Sequence, residues 1–244
     1  MKKTTLISVI IPTLNEEKVL TETLIQFNKA KGRYDFEVIV SDGGSKDKTV
    51  NIAKKWVDKV VTHTGETRQT IASGKNAGTK VAAGDLYVFL DSDIRIPDID
   101  NFFEKVLQEF HKSIIVAATA KILIYPEEET FFDRLFHNFF TLLIATVNLL
   151  GMGGSQGECQ IIRSNYFNKI GGFNEKLVAS EDFDLFVRLN KIGKTCLITG
   201  LVLYESPRRI RKLGYPKWIL TGILNMLSIV IRKSAFSREW EIVR

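Results

Sequence analysis

Cysteine and histidine are scarce in this chain of 244 residues, with two of the first and three of the second. Cys159 and Cys196 cannot build a disulfide framework, and neither has the spacing of a metal site. A reducing compartment is the expected home. His63, His111 and His137 are scattered and share no motif. Uninterrupted apolar runs long enough to span a bilayer are missing, so no membrane span is expected. Lys2 and Lys3 precede an apolar run of only about six residues, too short for a secretion signal, and a strand motif follows it. Repeats, low-complexity tracts and disordered stretches are also missing. The glycine-rich stretch 151–157 fails as a dinucleotide fingerprint, because Gln156 stands where G-x-G-x-x-G needs its last glycine and a strand, not a helix, follows. There is no G-x-S-x-G elbow and no P-loop lysine. Acidic residues nearly vanish from the last 39 positions, which carry 9 Lys+Arg against 2 Asp+Glu, whereas residues 1–205 are balanced at 25 against 26. The net charge of +6 therefore sits in the tail, where it suits phosphate groups or an anionic membrane surface.

What is present is an alternation of strand and helix. Short apolar runs at 6–11, 36–40, 59–62 and 86–90 read as buried strands. Between them, 16–29, 47–56, 67–83 and 99–110 carry apolar residues at helical spacing. This order predicts a mainly parallel sheet covered by helices on both faces. The second half is less regular, with strands expected at 114–120, 121–125 and 159–162 and a helix at 181–192. The length suits one α/β domain with an appendage: a core over 1–213 and an amphipathic basic helical segment over 214–244.

Ligands in such sheets sit beyond the carboxyl ends of the strands, and the polar clusters fall there. Pro12, Thr13, Asn15 and Glu16 follow the first strand. Asp42 and Gly43 follow the second. Gly43 and Gly44 let the backbone approach a flat ligand, and a carboxylate at 42 could accept from the imide of a uracil-like base; an Asx-turn before the next helix is compatible with that. Asp91, Ser92 and Asp93 follow the fourth strand, Leu86–Leu90, which is wholly apolar. Residues i and i+2 of an extended chain point to one side, and paired carboxylates repel until a divalent cation joins them and leaves positions for a diphosphate. A solvated, helix-capping turn is the plainer alternative. Glu181 and Asp182 precede an amphipathic helix, where they suit either capping or general-base chemistry on an acceptor hydroxyl. Arg208 and Arg209 offer guanidinium forks to phosphate oxygens or form a surface charge cluster.

In this order the pieces resemble glycosyltransferase family 2, whose members have the GT-A fold. The matching stretches are Val9 to Glu17; Asp42 to Thr49; Lys75-Asn76-Ala77-Gly78 with Ala83-Gly84-Asp85; Asp91-Ser92-Asp93; Gly171 to Glu175; and Glu181 to Leu185 with Arg188. The resemblance spans roughly residues 6–215 and implies a GT-A, Rossmann-like, mainly parallel sheet flanked by helices. It implies an inverting transfer of sugar from a nucleotide diphosphate to an acceptor hydroxyl. Pro12, Thr13, Asn15 and Glu16 would line the nucleotide pocket, Asp42 would contact the base, and Lys75 would lie near the donor. Asp91 would contact ribose or metal, Asp93 would hold Mn²⁺ or Mg²⁺, and Asp182 would be the base, with Glu181 beside the acceptor. Two departures stand out. Gly44 replaces a residue that is often different in the family, which leaves the base open beyond a lean to uridine. The Q-x-x-R-W motif of processive members is absent, with Ser206 to Arg209 in its place, which favours a single-addition enzyme.

Two apolar segments complete the sequence. In 131–150, Phe131, Phe132, Leu135, Phe136, Phe139, Phe140, Leu143 and Val147 form one stripe and Asp133, Arg134, His137, Asn138, Thr141 and Asn148 the other. In 217–233, Trp218, Ile219, Ile223, Met226, Leu227 and Val230 oppose Lys217, Thr221, Asn225, Ser228 and Arg232. Both suit helices lying in a membrane interface, or helices packed on the core or on a second subunit. The expectation is a cytoplasmic protein, peripheral on the inner face of the cell membrane, with a glycan or lipid-linked acceptor, no nucleic acid and possible homodimerisation. A nucleotidyltransferase making nucleotide sugars is the alternative chemistry, but it would carry a basic glycine-rich loop where Pro12 to Glu16 stand. A non-catalytic nucleotide-sugar binder is the other alternative, and Asp91, Asp93 and Asp182 argue against it.

Overall fold

The computed structural model describes residues 5–232 and 234–237. Lys233, in the second apolar segment, lies outside the described residues, as do the side chains of Met226, Leu227 and Val230.

The chain runs β1 (Ile7–Thr13), α1 (Leu20–Asn28), β2 (Phe36–Asp42), α2 (Thr49–Trp56), β3 (Lys59–Thr62), α3 (Ile71–Thr79), β4 (Leu86–Leu90) and α4 (Ile99–Phe110). It continues β5 (Ile115–Ile124), α5 (Phe131–Leu149), β6 (Cys159–Arg163), α6 (Ser164–Lys169), α7 (Glu181–Asn190), β7 (Lys194–Glu205), α8 (Arg208–Leu213) and α9 (Tyr215–Arg232). The strands form one sheet in the order β3-β2-β1-β4-β6-β5-β7. β1 pairs parallel with β2 and β4, β2 with β3, and β5 with β7. Only β6 runs antiparallel, between β4 and β5.

Strand alternation divides the apolar side chains between two cores. Ile7, Val9 and Ile11 of β1 join Val88 and Leu90 of β4 under α1, α2 and α4, with Leu24, Phe27, Phe102 and Phe103 at the centre. Ile10 and Phe89 face the other way, onto Ala72 of α3, Phe167 of α6 and Phe186 of α7. Gly78 lets α3 lie directly on β1, since a Cβ there would stand 2.4 Å from Ile10 Cγ2.

Several boundaries differ from the sequence expectation for visible reasons. The strands expected at 114–120 and 121–125 are one strand, β5, with a register irregularity between Thr119 and Lys121. The helix expected from 67 begins at Ile71, because the Thr70 side chain caps it by accepting from Ser73 N at 3.1 Å. The helix expected from 16 begins at Leu20, because residues 15–17 are held as a loop by bonds to Ser45, Asp47 and Thr49.

Candidate active site

The parallel register sets Thr13 beside Asp42 at the carboxyl ends of β1 and β2, and Asp91 leaves the end of β4, the other neighbour of β1. Three polar strand ends thus lie side by side.

The first two are tied together by their own side chains. Asp42 is buried; its Oδ1 accepts from Gly44 N (3.0 Å) and Ser45 N (2.8 Å), and its Oδ2 accepts from Thr13 Oγ1 (3.2 Å) and Ser45 Oγ. Both carboxylate oxygens are occupied by the chain itself, so a base imide would have to displace one of these donors. Gly43 N donates to Thr13 O at 2.8 Å. Asn15, in the left-handed region at φ 56, accepts from Lys46 N at 2.8 Å and donates its own N–H to Ser45 Oγ at 2.7 Å. Glu16 is buried and its N–H donates to Thr49 Oγ1. Pro12 lies beside Ser41 in the register. Ser92 is buried, and its carbonyl accepts from Thr23 Oγ1 at 2.6 Å.

The third strand end is a nest of charge. Lys75, only 2% exposed, rises from α3 and donates to Gln160 Oε1 at 2.9 Å, with Glu181 Oε1 and Gly157 O at 3.4 Å. Burial opposes its charge, but Glu181, Asp91 and Asp182 outweigh burial and raise its pKa. Arg208 of α8 reaches in from the far end of the chain. It donates through Nη1 and Nη2 to the two oxygens of Glu16 (2.8 and 3.1 Å), while its Nε lies 3.0 Å from Asp93 Oδ2. Arg209 stands among Asp91, Asp93 and Glu158.

The acids are pushed towards neutrality. Burial raises Asp93 to about 6, with Asp91 and Glu16 adding repulsion and Arg208 opposing. Asp91 is raised by burial and by Glu181 and Glu16, against Lys75 and Arg209. Asp182 is raised to about 6 by burial and by the neighbouring Glu181. Gly157 backs it closely, since a Cβ there would lie 3.1 Å from Asp182 Oδ2.

Two further acids belong to this cluster and escaped sequence reasoning. Glu158 is raised to about 7 by burial and by Asp91 and Asp182. Glu205, at the end of β7, is raised well above its ordinary value by burial, Glu158, Asp93 and Asp91. Glu158 owes its place to the antiparallel pairing of β6 with β4, which puts Cys159 opposite Leu90 and lets Asp91 N donate to Glu158 O at 3.2 Å. No local pattern signals that pairing.

The structure therefore brings together Glu16, Lys75, Asp91, Asp93, Glu181, Asp182, Arg208 and Arg209, with Asp42 one strand away behind Thr13. Seven acids (Glu16, Asp91, Asp93, Glu158, Glu181, Asp182, Glu205) face three basic groups (Lys75, Arg208, Arg209). That surplus of acidic groups, with Glu16, Asp93 and Glu181 buried and the rest half-buried, fits a divalent cation, and carboxylate oxygens are the hard donors that Mg²⁺ and Mn²⁺ take. Among the described residues no group of three His, Cys, Asp or Glu side chains is arranged to hold an ion; a diphosphate would have to complete its coordination.

A family model for Glycosyl transferase family 2 matches residues 8–171. Over 227 residues the chain is 26% identical to the O-antigen biosynthesis protein RfbC of Myxococcus xanthus, a match covering 83% of this chain and 18% of that protein. The chain spans about a fifth of the length of the curated relatives it matches first, at 18%, 23% and 20%. A mannosyltransferase from Pyrobaculum calidifontis, in complex with GDP-Man and Mn²⁺, superposes with a TM-score of 0.73 at 19% identity, covering 95% of this chain and 65% of that one. Glucosyl-3-phosphoglycerate synthase from Mycobacterium tuberculosis, in complex with Mn²⁺, UDP and glucosyl-3-phosphoglycerate, gives 0.61 at 20% identity, covering 92% and 79%. The shared architecture is the GT-A, Rossmann-like sheet flanked by helices.

Proposed function

The chain belongs to glycosyl transferase family 2, and from that premise we propose that it is an inverting, metal-dependent glycosyltransferase passing a sugar from a nucleotide diphosphate to an acceptor hydroxyl. The observation that carries this is the meeting of Glu181, Asp91 and Asp182 around buried Lys75 at the ligand-binding edge of the sheet, with Asp93 beside them on Arg208.

Asp93 and Asp91 are the residues that would hold Mn²⁺ or Mg²⁺; when bound, the ion supplies positive charge against the leaving diphosphate. Arg208 and Arg209 supply guanidinium groups on the same side. Pro12, Thr13, Asn15, Glu16, Asp42, Gly43 and Ser92 line the nucleotide side. Asp182 takes the proton from the acceptor hydroxyl. Its pKa near 6 leaves it mostly ionised at neutral pH, yet close enough to the working pH to be an effective base. The acceptor oxygen bonds to the anomeric carbon as the bond to the diphosphate oxygen breaks on the opposite face, so one base suffices. Lys75 holds Glu181 in place beside the acceptor.

The finer reading has three parts. The donor is a UDP-sugar, supported by the UDP bound to the synthase of similar fold. The core ends at 213, with α9 (Tyr215–Arg232) as a helical appendage; residues 1–4 of the expected core, and 233 and 238–244 of the expected 214–244 segment, lie outside the described residues. The protein works at the cytoplasmic face of the membrane on a lipid-linked or glycan acceptor, in line with its basic tail. Donor hydrolysis with Mn²⁺ is the test: Asp93→Ala should abolish it, and an intact rate in that variant would end the proposal.

A further inference from the structure

Helix α5 is inside out for a surface helix. Asp133, His137 and Asn148 of its polar stripe are buried against the protein, whereas a run of its large apolar side chains faces water, the reverse of the usual arrangement. Asp133 is fully buried, closes a capping box with Thr130, and accepts from Arg211 and Tyr215 of the following segments. His137 is 5% exposed. Asn138 accepts from Lys121 Nζ at 2.6 Å, and Thr141 accepts from Gln156 Nε2 at 3.2 Å. Asn148 donates to the carbonyls of Ile144 and Gly154. On the other side, Phe131 is 76% exposed, Phe132 72%, Leu135 57%, Phe139 63%, Leu142 65% and Leu149 81%. Six large apolar side chains at helical spacing form one patch, of the kind that marks an interaction surface.

The charge beside this patch indicates what covers it. Phe136 and Phe140 of α5 pack on Trp218 of α9 with ring centroids 5.5 and 5.8 Å apart, so α5 is joined to the basic end of the chain. Of that end, Lys212, Lys217 and Arg232 are exposed, and no acid stands between 206 and 237. Two copies meeting here would bring two cationic tails together, whereas an anionic bilayer offers apolar depth and opposite charge at once. No helix among the described residues is long and apolar enough to cross a membrane, so the geometry is that of a helix lying in the interface.

We propose that the outward face of α5 is a docking surface for an anionic lipid bilayer, with the exposed Lys212, Lys217 and Arg232 of the α8–α9 segment set against its headgroups. The surface specifies the membrane contact suggested above and rests on the transferase reading only for the acceptor. Its position gives that contact a purpose. On the inner side of the same helix, His137 Nδ1 lies 4.0 Å from Glu205 Oε1, and Glu205 belongs to the acidic cluster. The bilayer would then lie about one helix diameter, ~10–12 Å, from Glu205 at the edge of the acidic cluster. A sugar acceptor on a lipid carrier reaches the site from there without leaving the membrane.

The test is flotation of the full chain with vesicles of phosphatidylcholine alone or with phosphatidylglycerol added, alongside donor hydrolysis in solution. The chain should float with the anionic vesicles and only weakly with neutral ones, and high salt should reduce flotation. Phe132→Ser/Leu135→Ser/Phe139→Ser should lower the bound fraction at least ~10-fold and leave donor hydrolysis unchanged, since all three side chains point to solvent. A wild-type chain that stays in the soluble fraction with both vesicles overturns the proposal. So does a triple variant that floats as well as the wild type. A light-scattering dimer that the triple variant dissolves, with no flotation, assigns the face to a second copy instead. Hydrolysis without flotation removes docking alone; flotation without hydrolysis removes the transferase reading and keeps the docking surface.

Discussion

The guanidinium of Arg208 stands 3.0 Å from the carboxylate of Asp93 and forks onto Glu16 with its remaining nitrogens. A single positive group thus neutralises two buried acids, one at the end of β1 and one at the end of β4, in the place where a divalent ion would be of use. Removing it leaves both acids short of a counter-charge. Arg208→Ala should therefore lower the ligand-free Tm. Arg208 is a quarter exposed, so part of its field is screened and the loss is about 1–3 kcal/mol, or roughly 2–10 °C for a chain of this size. Mn²⁺ should raise the Tm of the variant more than that of the wild type. Identical melting of the two ligand-free proteins would show that the Arg208 pairing contributes nothing.

The same cluster fixes the sign of a pH effect. Asp93 and Asp182 near 6 and Glu158 near 7 have folded pKa values above those of an unfolded carboxylate. The folded protein then binds more protons than the unfolded chain between about pH 4 and 7, and stability falls as pH rises through that window. Asp133 and Asp47 are shifted the other way and lose stability only below the ordinary carboxylate range, outside the window. His137, whose pKa burial lowers, works against the trend below its ordinary value. The ligand-free Tm should be higher at pH 5.5 than at 7.5, and Mn²⁺ with a nucleoside diphosphate should flatten the difference. A Tm that climbs steadily across this range in the ligand-free protein would contradict the burial of these acids.

Activity should run opposite to stability on the acid side. Asp182 must be ionised to accept a proton, so kcat/KM should rise with pH through an inflection near 6 and then level. The inflection belongs to the cluster that Asp182 shares with Glu181 and Lys75. Asp182→Asn should lower transfer by ~10²–10⁴-fold while donor binding, measured by thermal shift, persists. A variant that transfers sugar at the wild-type rate removes the base assignment.

Much of this site was legible in the sequence because its first half is local. Apolar runs such as Leu86–Leu90 end abruptly in carboxylates, and the βα rhythm fixes which end of the sheet they share. Glu158 and Glu205 were illegible because their places depend on non-local pairing: β6 turns antiparallel beside β4, and β7 joins β5 through two register shifts. In α5 the two stripes were plain in the sequence, but their direction was not. Nothing in the helical spacing says that Asp133 would find Arg211 and Tyr215, 78 and 82 residues onward, and so turn the polar side inward.

That Asp133 contact yields its own expectation. Its carboxylate holds the start of α5, Arg211 of α8 and Tyr215 of α9 together, and these partners keep its pKa far below the usual range although burial pulls the other way. Asp133→Ala should cost several kcal/mol, tempered because Arg211 is 41% exposed. It should also release α8 and α9 before the sheet unfolds. Limited trypsin digestion should then cut at Arg211, Lys212 or Lys217 faster than in the wild type. Unchanged cleavage there, with an unchanged Tm, would mean that the aromatic contacts of Trp218 anchor the segment without Asp133.

Gly157 offers a way to move the base without touching it. Glycine here is not needed for a left-handed backbone, since 157 is not among the positive-φ positions. It is needed for space, because a Cβ would come within 3.1 Å of Asp182 Oδ2, tighter than an ordinary contact. The methyl of Gly157→Ala must push the carboxylate aside by a few tenths of an ångström. The Asp182 backbone is anchored in the first turn of α7, so the side chain yields. Proton abstraction depends on hydrogen-bond reach to the acceptor hydroxyl, and small misplacements of a reacting group are expensive in rate. Gly157→Ala should therefore lower kcat about 10-fold while leaving the Tm and the KM for the donor close to wild type, because Asp91 and Asp93 are untouched. A fall in donor affinity with kcat preserved would place the Gly157 contact on the nucleotide side of the cleft and take Asp182 out of the proton-transfer step.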